Sequence, residues 1–576
     1  MKGILKFAFA VCLASVAGSA SVKAQTVTLN GLGSSGLFLE LGLGANNPGG
    51  AINASCVWSE NTNTAFASDY SVSGNPSVVL TDKGSSWVAW TTGGGTCASP
   101  GSSAQVYAYL STDSVVGNRC LYNANLTAKE CFITYPTSNP SSAGIILGTA
   151  NEVPLPTAVA TALNSSTVNF AGTDIRPEDA EFAITRALTN CGSVVGSSTQ
   201  YLGLGYSNGT TPILTGISGS TSSFNVINFA LPSNGFFVTP VGATPIVVAV
   251  NDASGTGLRA STNITSQNLA YFMDGTSSYT GQVSSSTSAT GSPVTVYVRE
   301  PLSGTYNTLE FNAPNRAGTR GGSFATSQDA GLNQPFNQRN CTGVTSTSTW
   351  PTPATTASTV LNNPLNFTTT SGGARIRAIG TGQELSAVVN NTSNSLGYSF
   401  WSAANFAGFS TVTSSAAYYT VDGIDPLGAS GVIPTTSSEL ASVLLTTTAD
   451  GQYPIWSMLR LVNVGSAQNS SVASLASSAQ NFSTSNHPDF VPLGSMEVVR
   501  SHFAPPAQSL TASNGSGSSA FGSNKAAACS ATETGGDVGG VVIGLKTNGL
   551  TQSPLTSTDE AYCVSTSTKG QTGDRR

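Results

Sequence analysis

The stretch Val296-Tyr297-Val298-Arg299-Glu300-Pro301-Leu302-Ser303-Gly304-Thr305 carries the two patterns on which the predicted fold depends. An alternating apolar run that ends at Arg299 predicts a β-strand, and Ser303-Gly304-Thr305 predicts the start of a helix. A helix N-terminus presents unpaired backbone N–H groups and the positive end of a dipole. With hydroxyls and a guanidinium nearby, these residues predict a cradle for a small oxyanion. A solvated turn with a surface arginine is the alternative interpretation.

Three other predicted strands lead into polar or glycine-rich loops of the same kind. These strand-and-loop pairs are Thr26–Leu29 with Gly31–Gly36, Gln105–Leu110 with Ser111–Gly117, and Val168–Gly172 with Thr173–Asp174. The first pair, with a helical segment after it, suits an anion-binding turn. The second leads into a hydroxyl-rich turn, and the third ends at an acidic residue. Ordinary glycine turns, and a helix cap at Asp174, explain the same residues without a ligand.

Strand and helix patterns alternate along the chain. Further segments with strand character are Pro245–Val250, Ala374–Ala378, Ser395–Phe400 and Tyr453–Val462, and segments with helical character are Ile264–Gly275, Gln383–Asn390 and Val472–Phe482. The continuous run of β-branched residues in the first of these is typical of a buried central strand. The alternation predicts an α/β fold with β-rich or irregular insertions.

The composition excludes some classes of function. Only 9% of the 576 residues are charged, the net charge is −6, and Ser, Thr, Asn and Gly replace the missing charges. No run of Lys or Arg occurs, so nucleic acid is not an expected partner. A surface of hydroxyls and amides is more typical of an exported protein than of a cytosolic enzyme.

The N-terminus predicts export. An apolar run from Phe7 to Ala17 is flanked by lysines, and Val22-Lys23-Ala24 forms an Ala-x-Ala-like cleavage site before Gln25. This pattern predicts a signal peptide that is cleaved after Ala24. No other stretch approaches the roughly 20 apolar residues of a spanning helix, so no transmembrane segment is expected. The predicted location is periplasmic or extracellular.

Eight of the nine cysteines lie outside the predicted signal peptide, and an even number in an oxidising compartment predicts disulfides. The local pairs Cys120–Cys131 and Cys529–Cys563 are possible, although sequence does not determine the pairing. No Cys-x-x-Cys occurs, and the only histidines are His487 and His502. Neither a metal site nor a cofactor is therefore expected. A hydrolase is a further alternative, but two histidines and the absence of Gly-x-Ser-x-Gly give a nucleophile with its base little to build on.

In their order along the chain, these segments resemble the periplasmic phosphate-binding proteins of ABC importers. Gly31-Leu32-Gly33-Ser34-Ser35 is similar to the family's first Gly-x-Gly loop, and Phe170-Ala171-Gly172-Thr173-Asp174 is similar to its Phe-Gly-x-Ser-Asp loop. Arg299, Ser303-Gly304-Thr305 and Phe311 match its Arg-x-x-x-Ser-Gly-Thr signature with the same spacing. The match is discontinuous and extends from about residue 27 to residue 465.

The resemblance implies a type 2 periplasmic-binding fold with two lobes around a cleft. The implied divisions are a signal peptide at 1–24, lobe I at 25–247 with an insertion at about 45–145, lobe II at 248–452 with an insertion at about 312–372, a return to lobe I at 453–504, and a low-complexity region at 505–576. The implied ligand is phosphate or a similar oxyanion, and the implied partner is an ABC permease. A non-enzymatic surface or structural protein that reuses the fold is the alternative.

The resemblance also implies which residues bind the ligand. Those from lobe I are Ser35, Asp174 and Ser114, with Ser111 as the alternative second serine; those from lobe II are Arg299, Ser303, Gly304 and Thr305. Asp174 is expected to accept a hydrogen bond from a protonated phosphate oxygen. The chain departs from the family at Pro301, because relatives carry there the acidic residue that orients the arginine. The neighbouring Glu300 is expected to point to the other face of the strand.

Overall fold

The computed structural model describes residues 25–60, 71–72, 75–79, 85–122, 133–142, 151–175, 177, 180, 236–273, 275, 277–299, 303–313, 366–368, 374–378, 380–407, 415–429, 431–434, 436–485, 489–496, 498–502 and 538–543. The predicted signal peptide lies outside these ranges, and so does most of the C-terminal region.

The described residues form strands and helices in alternation. The strands are β1 Thr26–Ser34, β2 Cys56–Glu60, β3 Ser71–Val72, β4 Asn75–Val79, β5 Ser86–Trp90, β6 Gln105–Thr112, β7 Phe170–Thr173, β8 Phe236–Asn251, β9 Asn263–Ile264, β10 Thr295–Arg299, β11 Asn366–Thr368, β12 Ala374–Ala378, β13 Ser395–Phe400, β14 Ala416–Val421, β15 Trp456–Val464, β16 Val491–Pro492, β17 Val498–His502 and β18 Val538–Ile543. The α-helices are α1 Phe38–Asn46, α2 Ser114–Tyr122, α3 Thr157–Asn164, α4 Ser266–Met273, α5 Gly304–Asn312, α6 Thr381–Asn390, α7 Ala403–Ala407, α8 Ser437–Ala441, α9 Thr446–Ala449 and α10 Asn469–Ser485.

One large mixed sheet organises the fold. Its strands follow the order β11-β12-β10-β13-β8-β15-β7-β1-β6-β5-β2. Strand β1 is parallel to β6 and β7, and β10 is parallel to β12 and β13, with helices between successive strands. The predicted α/β fold class is confirmed.

Strand β8 joins two groups of strands. Its first part, up to Pro245, pairs with β15, and its second part, from Ile246, pairs with β13 and β14. We call β1, β2, β5, β6, β7, β15 and residues 236–245 the first strand group, and β10–β14 and residues 246–251 the second strand group. The Ile246 N–H donates to the carbonyl of Ile455, 2.8 Å away, just before β15 begins. The chain therefore crosses between the groups at two adjacent points. The predicted lobe boundaries stay predictions.

The sequence of β8 explains its central place. Residues Ile246 to Val250 are at most 1% exposed, because neighbouring strands and covering helices enclose them. A continuous β-branched run provides apolar surface on both faces, as a strand in this position requires. Each such side chain contributes about 1.5–3 kcal/mol on full burial.

Part of the predicted insertion at about 45–145 extends the sheet. Strand β6 pairs in parallel with β1, and β5 and β2 continue the sheet outward in antiparallel order. A disulfide joins Cys56 at the start of β2 to Cys97. Cys120 is disulfide-bonded as well, whereas the other cysteines of the predicted local pairs, Cys131, Cys529 and Cys563, lie outside the described residues. Within the part of the chain that the structure describes, none of the helices has the length and apolar character that a membrane span needs.

Helices α1 and α10 approach each other closely on the first strand group. A Cβ atom on Gly44 would lie 2.6 Å from the backbone nitrogen of Ala479, a distance that real Cβ atoms do not adopt. Since the obstacle is backbone, a side chain at this position forces the helices apart and disturbs the core between them.

We expect Gly44→Ala to lower the free energy of unfolding by about 1–3 kcal/mol, the usual cost of overpacking. Gly382→Ala is the matched control, because Gly382 lies in α6 with no atom within 4 Å of the added Cβ. This control is expected to raise the free energy of unfolding by about 0.5–1 kcal/mol, because alanine favours a helix more than glycine does. Denaturant unfolding followed by circular dichroism measures both. Equal effects of the two substitutions would contradict the close approach.

Candidate functional site

The carboxyl ends of the parallel strands meet at one place between the two strand groups. In the first group, Ser35 follows β1, Asp113 and Ser114 follow β6, and Asp174 follows β7. In the second group, Arg299 ends β10 and Thr381 begins the helix after β12. Open α/β sheets hold their ligands beyond the carboxyl ends of such strands.

Glycines allow the strand ends of the first group to converge. Gly33 has a φ of 141°, and a Cβ atom there would collide with the carbonyl oxygen of Gly172 in β7. A Cβ atom on Gly172 would in turn collide with the hydroxyl of Tyr109, which donates to the carbonyl of Ser34 over 2.7 Å. The Gly-x-Gly pattern before Ser35 therefore has a structural cause. It lets β1 and β7 end close together.

Asp174 and Ser114 form the first polar pair of the site. The Ser114 hydroxyl donates to Asp174 Oδ1, and the Asp174 backbone N–H donates to Ser114 Oγ over 3.2 Å. Ser114, the first residue of α2, is therefore the serine that contacts Asp174. The alternative, Ser111, lies in β6, where its N–H donates to the carbonyl of Ser85.

Burial dominates the electrostatics of Asp174. Its side chain is 2% exposed, and the loss of solvation raises the pKa of the carboxyl group to about 6. The hydrogen bond from Ser114 and the positive charges of Arg299 and Arg460 oppose this rise in pKa. Asp174 is therefore charged at neutral pH and takes up a proton under mildly acidic conditions.

Arg299 forms the centre of the second polar cluster. Its Nη2 lies 3.1 Å from Asp113 Oδ1, and its Nη1 donates to Thr381 Oγ1 over 2.6 Å. Its backbone N–H donates to the hydroxyl of Tyr398 over 3.2 Å. The side chains of Arg299 and Asp113 are only 2% and 3% exposed, so this ion pair is buried. Asp113 belongs to the first strand group, while the other two partners belong to the second.

The carboxylate that meets Arg299 thus comes from a distant part of the chain. From the sequence, the usual acidic partner of the arginine is replaced by Pro301, and Glu300 is the nearest acidic residue. Both residues lie outside the described residues. Asp113 is 186 positions away from Arg299, and sequence reasoning missed it. Its only local signal is its place between a strand and a helix, which many helix caps share. Thr381 was missed for the same reason.

Ser303, Gly304 and Thr305 begin α5. The Ser303 hydroxyl accepts from the backbone N–H of Tyr306 over 3.3 Å and caps the helix. A Cβ atom on Gly304 would collide with the Asp174 carboxylate and would lie 2.5 Å from Ser114 Oγ. Glycine is the residue that allows this backbone to approach Asp174. Thr305 is the next residue of the same turn and is buried.

A hydroxyl pair completes the junction. Ser35 Oγ lies 3.1 Å from Thr381 Oγ1, which also accepts from Arg299. The structure therefore brings all the predicted site residues to one junction between the strand groups, with the exception of the alternative Ser111. Whether they bind a ligand stays a prediction.

The N-termini of three helices contribute partial positive charge at the junction. Helices α2, α5 and α6 have nine, nine and ten residues and begin at Ser114, Gly304 and Thr381. The positive ends of their dipoles and their unpaired N–H groups favour an anion. Arg299 adds a full positive charge, whereas Asp113 and Asp174 oppose it. Such a site suits a small oxyanion that carries at least one proton.

Comparisons with known proteins find similarity among solved structures. No protein-family model matches the chain, and no curated protein sequence does. An ABC-type phosphate transport receptor from Vibrio cholerae is 13% identical over 44% of this chain and 72% of that one, with a TM-score of 0.24. A phosphate-binding protein from Stenotrophomonas maltophilia is 14% identical over 62% and 71%, with a TM-score of 0.27. The high-affinity periplasmic phosphate-binding protein PfluDING, bound with phosphate, is 13% identical over 81% and 90%, with a TM-score of 0.32. At these TM-scores the similarities carry no argument about what this chain binds.

The raised pKa of Asp174 predicts a pH-dependent stability. Because the folded protein holds this proton up to a pH of about 6 and the unfolded chain only to about 4, wild-type stability falls as the pH rises through that window. The loss is on the order of 3 kcal/mol. The asparagine of Asp174→Asn cannot titrate, so this variant is expected to lack the decrease in stability over that pH window. Urea unfolding of both proteins between pH 4 and pH 7 measures it, and parallel pH profiles would contradict the assignment.

Proposed function

We propose that this chain is a solute-binding protein that captures a small oxyanion, phosphate above others, between the two strand groups. The observation that carries the proposal is the junction itself. The buried Arg299 and the first turns of three helices meet there with the hydroxyls of Ser35, Ser114 and Thr381. The order of the sequence motifs supports the same proposal independently of the structure.

The donors of the junction match the needs of an oxyanion. A buried anion requires a partner for nearly every oxygen, because each unsatisfied polar group costs about 1–3 kcal/mol. Arg299 offers a charged fork, and Gly304 and Thr305 offer backbone N–H groups at the start of α5. Ser35 and Ser114 offer hydroxyls from the first strand group. Ligand oxygens are thus expected to be held from both groups at once.

Asp174 makes the proposed site selective. An ionised carboxylate accepts a hydrogen bond from a protonated oxygen and repels an oxyanion that has no proton. Hydrogen phosphate carries such a proton at neutral pH, whereas sulfate does not. We therefore propose that the site binds hydrogen phosphate in preference to sulfate.

The cellular setting follows from the sequence. The signal peptide predicted at residues 1–24 would export the chain, and an importer permease would then receive the ligand. We propose binding without catalysis, so phosphate esters are not expected to be hydrolysed. The alternative, a surface or structural protein that reuses the fold, draws support from Asp113, because this carboxylate already pairs with Arg299 inside the protein.

We expect signal-cleaved protein to bind phosphate and Arg299→Gln to bind it roughly 10- to 150-fold more weakly, the usual effect of losing a charged hydrogen bond. Isothermal titration calorimetry at neutral pH measures both dissociation constants. Arg259→Gln is the matched control, because it removes the same charge from a partly buried arginine whose guanidinium contacts the carbonyl of Asp252. Absence of phosphate and sulfate binding at millimolar concentration would refute the proposal and favour the structural alternative.

We expect the preference for phosphate over sulfate to be largest above pH 7 and to shrink as the pH falls below about 6, because protonated Asp174 can donate to sulfate. Asp174→Asn is expected to have a small preference that hardly changes with pH. Calorimetric titration of both ions at pH 5, 6, 7 and 8 measures the ratio of the two affinities. A ratio that is independent of pH in the wild-type protein would contradict the role of Asp174.

A further inference from the structure

Contacts between described residues join the strand groups across the junction, among them three that differ in kind. They are the ion pair Asp113–Arg299, the hydroxyl pair Ser35–Thr381, and the close approach of Gly304 to Asp174. The first differs from the others because it joins full charges that are almost completely buried. Salt screens a buried pair much less than an exposed one.

The two ends of the ion pair belong to different parts of the sheet. Asp113 follows β6, and the carbonyl of this residue accepts from the N–H of Gly117 at the start of α2, so it moves with the first strand group. Arg299 ends β10, and its contacts with Thr381 and Tyr398 stay within the second group. Separation of the groups would therefore preserve those two contacts and break the ion pair. Separation therefore loses the attraction between two charges that are poorly screened in their present position.

The Asp113 carboxylate is itself an anion, and it is bound to Arg299, the arginine that we propose binds the ligand. Its Oδ1 lies 3.1 Å from Nη2, the distance at which a phosphate oxygen would bind. An entering oxyanion has to share Arg299 with this carboxylate or displace it, and the two negative charges repel each other.

We infer that Asp113 is an internal anion that latches the two strand groups together and competes with the entering oxyanion for Arg299. The latch follows from the geometry alone, while the competition rests on the proposed function. Apparent affinity falls in proportion to the fraction of molecules that can bind. A latch that holds nine-tenths of the unliganded molecules closed would weaken binding roughly tenfold.

The test of the latch needs no ligand. Unliganded wild-type protein, Asp113→Asn and the control Asp450→Asn are compared by small-angle X-ray scattering and hydrogen–deuterium exchange. Asn caps helices as well as Asp does, so the start of α2 is expected to survive. The Asp450 carboxylate accepts hydrogen bonds from the nearby Gln452, and Asp450→Asn removes the same charge as Asp113→Asn. If Asp113→Asn does not fold, Asp113→Ser provides the uncharged comparison.

We expect Asp113→Asn to have a larger radius of gyration and faster exchange in residues 303–313, while Asp450→Asn behaves like the wild type. Phosphate titration is expected to give a dissociation constant roughly tenfold lower for Asp113→Asn. Unchanged dimensions and exchange would overturn the inference. Weaker phosphate binding by Asp113→Asn would overturn it too, because Asp113 would then position Arg299 for the ligand. If no protein binds phosphate, the proposed function fails, and the scattering comparison still decides the latch.

Discussion

The burial of the Arg299 charge is the constraint on which the junction depends. A guanidinium cannot lose its proton, so a buried one requires a negative partner and hydrogen-bond acceptors. Asp113 provides the charge and Thr381 provides an acceptor. Because these two residues come from opposite strand groups, meeting the needs of Arg299 also determines how the groups face each other. The Arg299 side chain therefore belongs both to the proposed anion site and to the contact between the two strand groups.

Strand β8 makes this arrangement possible. It is long enough to pair with β15 along its first part and with β13 and β14 along its second. Each group keeps its own parallel strands, β1 with β6 and β7 in one and β10 with β12 in the other. The polar residues at the strand ends of both groups consequently reach the same place. Because both groups share β8, the loops at their strand ends meet at one junction.

Glycines determine how closely the backbone segments approach. Gly33 lies against Gly172 within the first group, and Gly304 lies against Asp174 across the junction. Larger residues at these positions would hold the strand ends or the helix start away from the carboxylate. The desolvation that raises the pKa of Asp174 depends on this close packing. Backbone geometry and acid–base chemistry are coupled here, since the glycines that permit the contact also remove water from the carboxylate.

The sequence by itself determined the fold class, the positions of the central strands and of several helices, and the residues at the strand ends. It did so because apolar periodicity and polar loops are local properties of the chain. It also pointed to Arg299, Asp174 and the Ser-Gly-Thr turn, which lie at or next to the end or the start of an element. Only the tertiary structure decided that Asp113 pairs with Arg299, that Thr381 joins Ser35, and that Ser114 rather than Ser111 contacts Asp174. These contacts depend on how β8 aligns the two strand groups, and no local pattern encodes an ion pair between residues 186 positions apart.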